Sequence, residues 1–223
     1  MSATVASAAS RFYEATIGKK IVMAVTGGTL FLFVIVHMAG NLQILGGAAK
    51  INHYAELLRS SMPLLWSVRL ALIAAVVLHV RAALQLYALK AAARPVAYAK
   101  KGHRGATLAS RTMIWSGYAV GVFIPYHLLH FTTGTVHPGF IEGDVFHNVT
   151  TAFNNPVVAG VYLVSMGCLF LHLSHGLFSF TQSLGLSHPR YSAMARVVAG
   201  TLAMVIAAGF AAVPIAVLSA IVK

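Results

Sequence analysis

Five long apolar stretches dominate this chain of 223 residues, at about 20–45, 64–90, 112–133, 156–183 and 197–222. Each reaches the roughly 20 residues that a helix needs to cross a bilayer. In hydrocarbon every backbone N–H and C=O must be paired internally, so such stretches have to be helical. The expected fold is all-α: an integral membrane bundle of five transmembrane helices, forming a single membrane domain over residues 1–223. Composition agrees, since 58% of residues are hydrophobic and 9% charged, against about 25% charged in a soluble domain. Pro63 precedes the second stretch, Asn155-Pro156 opens the fourth with a cap and a first-turn proline, and Ser187-His188-Pro189 closes the loop after it.

The opening segment MSATVASAASRFYEATIGKK holds no compact apolar core followed by a small-residue cleavage site, so the first helix is expected to be its own insertion signal. The single cysteine, Cys168, lies inside an apolar stretch. It rules out an intrachain disulfide and a cysteine-built metal site.

The net charge is +12, which raises nucleic acid as a partner, but in a membrane protein the placement of Lys and Arg is first a topology signal. The N-terminus with the second and fourth connections carries Arg11, Lys19, Lys20, Lys90, Arg94, Lys100, Lys101, Arg104, Arg111, Arg190 and Arg196. The opposite side carries Lys50, Arg59, Arg69 and Lys223. This excess puts the N-terminus in the cytoplasm and removes the need for nucleic acid. Of the four acidic residues, only Glu14 falls on the inner side; Glu56, Glu142 and Asp144 fall on the outer one. The basic inner face suits anionic lipid or an acidic protein partner.

Eleven histidines are present. Those at 53, 103, 137, 147 and 188 sit in connections and read as solvated side chains. The rest lie within the apolar stretches: His37 in the first, His79 in the second, His127 and His130 in the third, His172 and His175 in the fourth. Imidazoles at membrane depth are costly and mark function. At about 1.5 Å per residue, His37 and His127, about 17 and 15 residues into outward-running helices, belong in the outer half. His79 and His172, about 15 and 16 residues into inward-running helices, belong in the inner half.

Two depth-matched pairs result, His37 with His127 and His79 with His172. Two facing imidazoles from separate helices are what a six-coordinate b-type haem requires, and a bundle core supplies its apolar slot. The expected architecture therefore has four of the five helices enclosing two stacked haems. Zinc would want three or four ligands at one depth and a second shell of carboxylates, which these stretches lack. Ala39 and Gly40, Ala82 and Ala83, and Gly176 follow the candidate ligands and suit close approach of a flat macrocycle, as they also suit ordinary helix packing. His130 and His175 sit three residues beyond His127 and His172, on the same helix faces, and spacing alone does not choose within each doublet. Arg81, two residues beyond His79, is placed either to pair with haem propionates or to snorkel to the interface.

The segments VHMAGN, LHVRAALQLY, SRTMIWSG, PYHLLHF and LHLSHGLFSF, in that order, resemble the dihaem cytochrome b membrane anchor of succinate dehydrogenases and fumarate reductases, the succinate:quinone oxidoreductase family, in its single five-helix form. The likeness runs along essentially the whole chain. It implies an outer haem on His37 and His127 and an inner haem on His79 and His172, preferring the first member of each doublet and leaving His130 and His175 for propionates or second-shell roles. It further implies a subunit of the respiratory chain and tricarboxylic acid cycle in the bacterial inner membrane, with no catalytic residue for the dicarboxylate. FAD and iron-sulfur clusters belong to partners, a flavoprotein and an iron-sulfur subunit on the cytoplasmic face, and electrons pass between them and membrane quinone, menaquinone or ubiquinone.

His53, Tyr54, Glu56 and Arg59 in the outer connection INHYAELLRSSMP form the candidate quinone and proton site, with Glu56 leading. An interfacial amphipathic helix with solvated charges is the plainer reading of the same residues. Two other functions remain open: a haem b subunit of a hydrogenase or formate dehydrogenase, and a haem-free proton-coupled transporter, for which no inverted repeat with broken helices is visible.

Overall fold

The computed structural model describes residues 10–93 and 106–223; Arg94, Lys100, Lys101, His103 and Arg104 lie outside them. Every regular element among the described residues is helical. Helix α1 spans Thr16–Asn41 and runs on into a 3-10 turn, Leu42–Gly46. Gly47 then turns the chain with φ of 89°, a left-handed conformation that only glycine adopts at no steric cost. A connecting helix α2 follows, Ala48–Arg59, then α3, Met62–Ala92, opened by Pro63 in its first turn.

Beyond the second connection lie a short turn of helix α4, Leu108–Arg111, and α5, Met113–Phe131. A second connecting helix, α6, covers Val145–Phe153, before α7, Pro156–Ser183, and α8, Ser192–Leu218. Side chains cap three starts: Thr107 accepts from the Ser110 N–H, Asp144 from that of His147 and Asn155 from that of Val157, each satisfying an amide with no intrahelical partner.

Among the described residues, four helical segments are long and apolar enough to cross a membrane: Thr16–Gly46, Met62–Ala92, Pro156–Ser183 and Ser192–Leu218. Lipid is accordingly the natural surrounding of exposed side chains such as Leu70, Ile73, Val157, Val164 and Val197. The third stretch expected to span, 112–133, does form a helix, but α5 is not among the four. Its 19 residues reach about 28 Å, so length is adequate. What sets it apart is polarity, because Ser116, Tyr118, Tyr126, His127, His130 and the helix-weakening Pro125 all fall within it.

Helix α7 packs along α8 and α5, α1 packs along α3, and α1 also touches α7 and α8. Buried alanines, Ala75 and Ala82 on α3 and Ala159, Ala199 and Ala203 on α7 and α8, provide the small-residue surfaces that let membrane helices approach closely. Gly209 on α8 receives the Met38 side chain of α1, where a β-carbon would collide with it.

The densest core gathers at the end where α1 finishes. Ile44, Ile51, Val149, Phe153, Tyr162, Val213 and Val217 are buried there, with Phe123, Tyr126 and Phe131 against them. Over this end lie α2 and α6, joined through Asn52. Its amide donates to the Asp144 carboxylate at 3.0 Å and its oxygen accepts the Phe146 N–H at 3.0 Å. Asn148 braces the preceding loop by pairing with both backbone groups of Ile141.

Candidate functional site

Four of the histidines on the long helices meet in two pairs. The His37 and His127 rings, from α1 and α5, have centroids 5.8 Å apart and planes at 78°. The His79 and His172 rings, from α3 and α7, lie 6.3 Å apart at 68°. Neither pair of helices makes extended backbone contact, so in each case the imidazoles reach toward one another across a gap. Along α1 the two pairs are separated by the ten residues from Gly27, which touches His79, to His37, or about 15 Å.

The surroundings of His79 fix its tautomer. Its Nδ1 is 3.1 Å from the Met23 carbonyl oxygen and 3.3 Å from the Thr26 hydroxyl. A carbonyl only accepts, so Nδ1 carries the proton and Nε2 keeps its lone pair. Thr26 spends its own proton on the Val22 carbonyl at 2.7 Å. Gly27 makes room for the ring, since a β-carbon there would stand 3.1 Å from His79 Cε1. Gly117 of α5 does the same for His172, at 3.4 Å. His172 Nδ1 is buried without a hydrogen-bond partner, a costly state for a polar atom.

The other pair sits among aromatic rings. Phe33 stacks on His37 at 5.2 Å, Phe210 of α8 tilts against it at 5.7 Å, and Phe123 stacks on His127 at 5.6 Å. Asn41 donates to the His37 carbonyl at 2.7 Å and stands 3.4 Å from His37 Nε2. His127 Nδ1 lies 3.4 Å from the Tyr162 hydroxyl, and His130 Nδ1 lies 2.9 Å from the same oxygen. His130 is stacked on Tyr126 and packed against His137 at 4.7 Å.

This donor set suits a metal held from two opposite sides. An imidazole nitrogen binds a transition metal at about 2 Å, and the ring centre lies about 1 Å farther on, so two imidazoles that held one metal between them would have centroids about 6 Å apart. Both pairs match that spacing. Among the described residues no three His, Cys, Asp or Glu side chains converge as a metal site, so the three- or four-ligand arrangement of zinc is not formed there.

The remaining candidates are dispersed. The Arg81 guanidinium lies over the Tyr13 ring at 5.8 Å, and Tyr13 donates to Gln85 at 2.8 Å; this ties the start of the chain to α3. His175 is half-buried one turn beyond His172. His53 and Glu56 approach to 4.0 Å with side chains 80% and 84% exposed. Two open grooves flank α2. One of about 480 Å³ is bordered by Asn52, His53, Glu56, Arg59 and Gly143, the other of about 660 Å³ by Gln43, Lys50, His53, Tyr54 and Leu57. Glu56 and Arg59 thus share a groove with His53, while Tyr54 faces the second.

Two sequence expectations change. Gly40 does not offer its face to a macrocycle: Tyr54 covers it, 2.7 Å from where a β-carbon would stand. His137, expected to be solvated, is 6% exposed, and neither ring nitrogen makes a hydrogen bond of good geometry. Burial holds its pKa below the usual histidine value, with the His130 backbone opposing the shift and His147 adding to it. Asp144 is also lowered, chiefly by the His147 N–H and then by the Asn52 amide.

Sequence reasoning missed Gly27, Gly117 and Tyr162. The glycines carried a signal, since each lies on an adjacent helix at the depth of the histidine it touches. Tyr162 carried none, being one tyrosine in an apolar helix. Compared with family models, curated proteins and solved structures, the chain finds no match.

Proposed function

We propose that this chain is the cytochrome b membrane anchor of a succinate:quinone oxidoreductase. In this reading all five apolar helices span the bacterial inner membrane, α5 included, with the N-terminus in the cytoplasm. The carrying observation is the meeting of four histidines, one from each of four helices, as two pairs at 5.8 and 6.3 Å.

His37 and His127 hold the outer b haem and His79 and His172 the inner one. When bound, the two haems supply one-electron transfer across the membrane. The protein's part is positioning: the Met23 carbonyl keeps the His79 proton on Nδ1 and leaves Nε2 as donor, the arrangement expected of a metal-ligating histidine. Phe33, Phe123 and Phe210 crowd the outer pair with apolar rings. The exposed basic residues Lys20, Lys90, Arg111, Arg190 and Arg196 dock the iron-sulfur subunit, which carries the flavoprotein; Lys19 is buried, its ammonium held by the Tyr13 and Glu14 carbonyls. His53, Tyr54, Glu56 and Arg59 line the grooves where the quinone head binds at the opposite face.

The test is a pyridine haemochrome assay on the purified chain. Two haems b per chain are expected; a colourless protein sinks the proposal. Co-purification of a flavoprotein with succinate dehydrogenase activity separates this reading from a hydrogenase or formate dehydrogenase subunit.

A further inference from the structure

Tyr162 is 6% exposed and enclosed by Phe123, Phe131 and Phe153. Its hydroxyl faces two Nδ1 atoms, of His127 at 3.4 Å and of His130 at 2.9 Å, and it has one proton for the two contacts. In one arrangement His127 Nδ1–H donates to Tyr162, and the Tyr162 O–H donates to His130 Nδ1. In the other every proton is reversed, leaving His127 protonated on Nε2.

We infer that Tyr162 is a positioning residue for the outer haem, selecting His127 over His130 as ligand and tuning that haem's potential; this rests on the two-haem reading above. Only the first arrangement gives His127 a free Nε2 lone pair. The same arrangement occupies the Nδ1 lone pair of His130 and leaves its proton on Nε2, so His130 is unable to serve as donor. His127 is the member of the doublet that meets His37, and once its proton sits on Nδ1 the hydroxyl leaves His130 no free lone pair with which to compete.

The link also has an electronic consequence. An imidazole that donates from Nδ1 gains anionic character and becomes a more basic ligand, which favours the ferric over the ferrous state. Donation onward to His130 makes the tyrosine oxygen a better acceptor, as in any hydrogen-bond chain sheltered from water. Tyr162 and His172 share α7, so one helix supplies a ligand to the inner haem and orients a ligand of the outer one.

The experiment is Tyr162→Phe in the full chain within its membrane complex, read by haem-to-chain ratio and by potentiometric titration. The outer couple is identified as the one missing from His37→Ala. Tyr162→Phe is expected to raise the ferrous-to-ferric ratio of the outer haem about tenfold at fixed potential, an upward shift of about 59 mV, with the inner couple unmoved. Two bound haems with both couples unmoved would overturn the inference. If the Phe chain does not accumulate, His130→Ala, which removes the acceptor of the tyrosine proton, is expected to shift the outer couple in the same direction by less; no shift there overturns it equally. A native chain without haem refutes the two-haem reading itself, which is a separate outcome.

Discussion

His79 and His172 face each other at 6.3 Å, yet only one of them is tied from behind. The Met23 carbonyl takes the His79 Nδ1 proton, whereas the buried Nδ1 of His172 has no partner. The inner pair is asymmetric: α1 holds the ring of α3 in place, and α7 presents its ring by packing alone.

Removing either member should empty that site only. His79→Ala and His172→Ala are each expected to lower the haem content from about two to about one per chain, with the spectrum of the outer haem retained. A variant that keeps both haems would show that its histidine is no ligand.

Gly27 is expected to be as necessary as the histidine it touches. A β-carbon 3.1 Å from His79 Cε1 requires the ring to move, and a branched side chain requires more, so Gly27→Val should lose the inner haem. Gly121, whose β-carbon would meet nothing within 4 Å, gives the control: Gly121→Ala should leave the haem ratio unchanged. Equal ratios in the two variants would count against the close contact at Gly27.

His137 makes stability depend on pH. Its folded pKa is depressed by burial, so below the unfolded value of about 6.5 the unfolded chain binds a proton that the folded chain resists. Stability from this group is therefore intact above about pH 6.5 and falls as the pH drops below it. Replacing a buried, unpaired polar ring with an apolar one of similar shape costs little or stabilises. His137→Phe is thus expected to have a Tm at pH 7 at least equal to that of the native chain and a shallower decline toward pH 5. Parallel Tm profiles for the two chains would contradict this.

Asn52 holds α2 to α6. Asn52→Ala leaves the Phe146 amide without its acceptor and takes one of two donors from an Asp144 oxygen that keeps the His147 N–H, a loss of about 1–3 kcal/mol where the amide is shielded from water. Faster amide hydrogen exchange should follow in 48–59 and 145–153, with exchange in α7 and α8 unchanged. Uniform exchange between the native and variant chains would mean that other contacts hold the two helices.

The long helices were legible because the bilayer demands length and apolarity together, and the fourth expected stretch, 156–183, coincides with α7. The connecting helices were less so. The segment 48–59 reads as amphipathic from its charges, but α6 is nine residues and is ordered by Asp144 and Asn52, a contact across 92 positions that no local pattern announces. At the site, depth along each helix was enough to pair His37 with His127 and His79 with His172. How a connection folds back onto the bundle was not accessible in the same way, which is why His137, in the loop after α5, read as solvated although it is buried against His130. Gly40 read as a slot for a macrocycle for a related reason: the ring that fills it, Tyr54, comes from a different element.

The two imidazole pairs join helices whose backbones barely meet, α1 with α5 and α3 with α7. A metal-centred group gripped from both sides would act as a tie-rod between α1 and α3 on one hand and α5 and α7 on the other. Ligand affinity would then add directly to the stability of the filled bundle, and the empty chain should part along that seam before its individual helices melt.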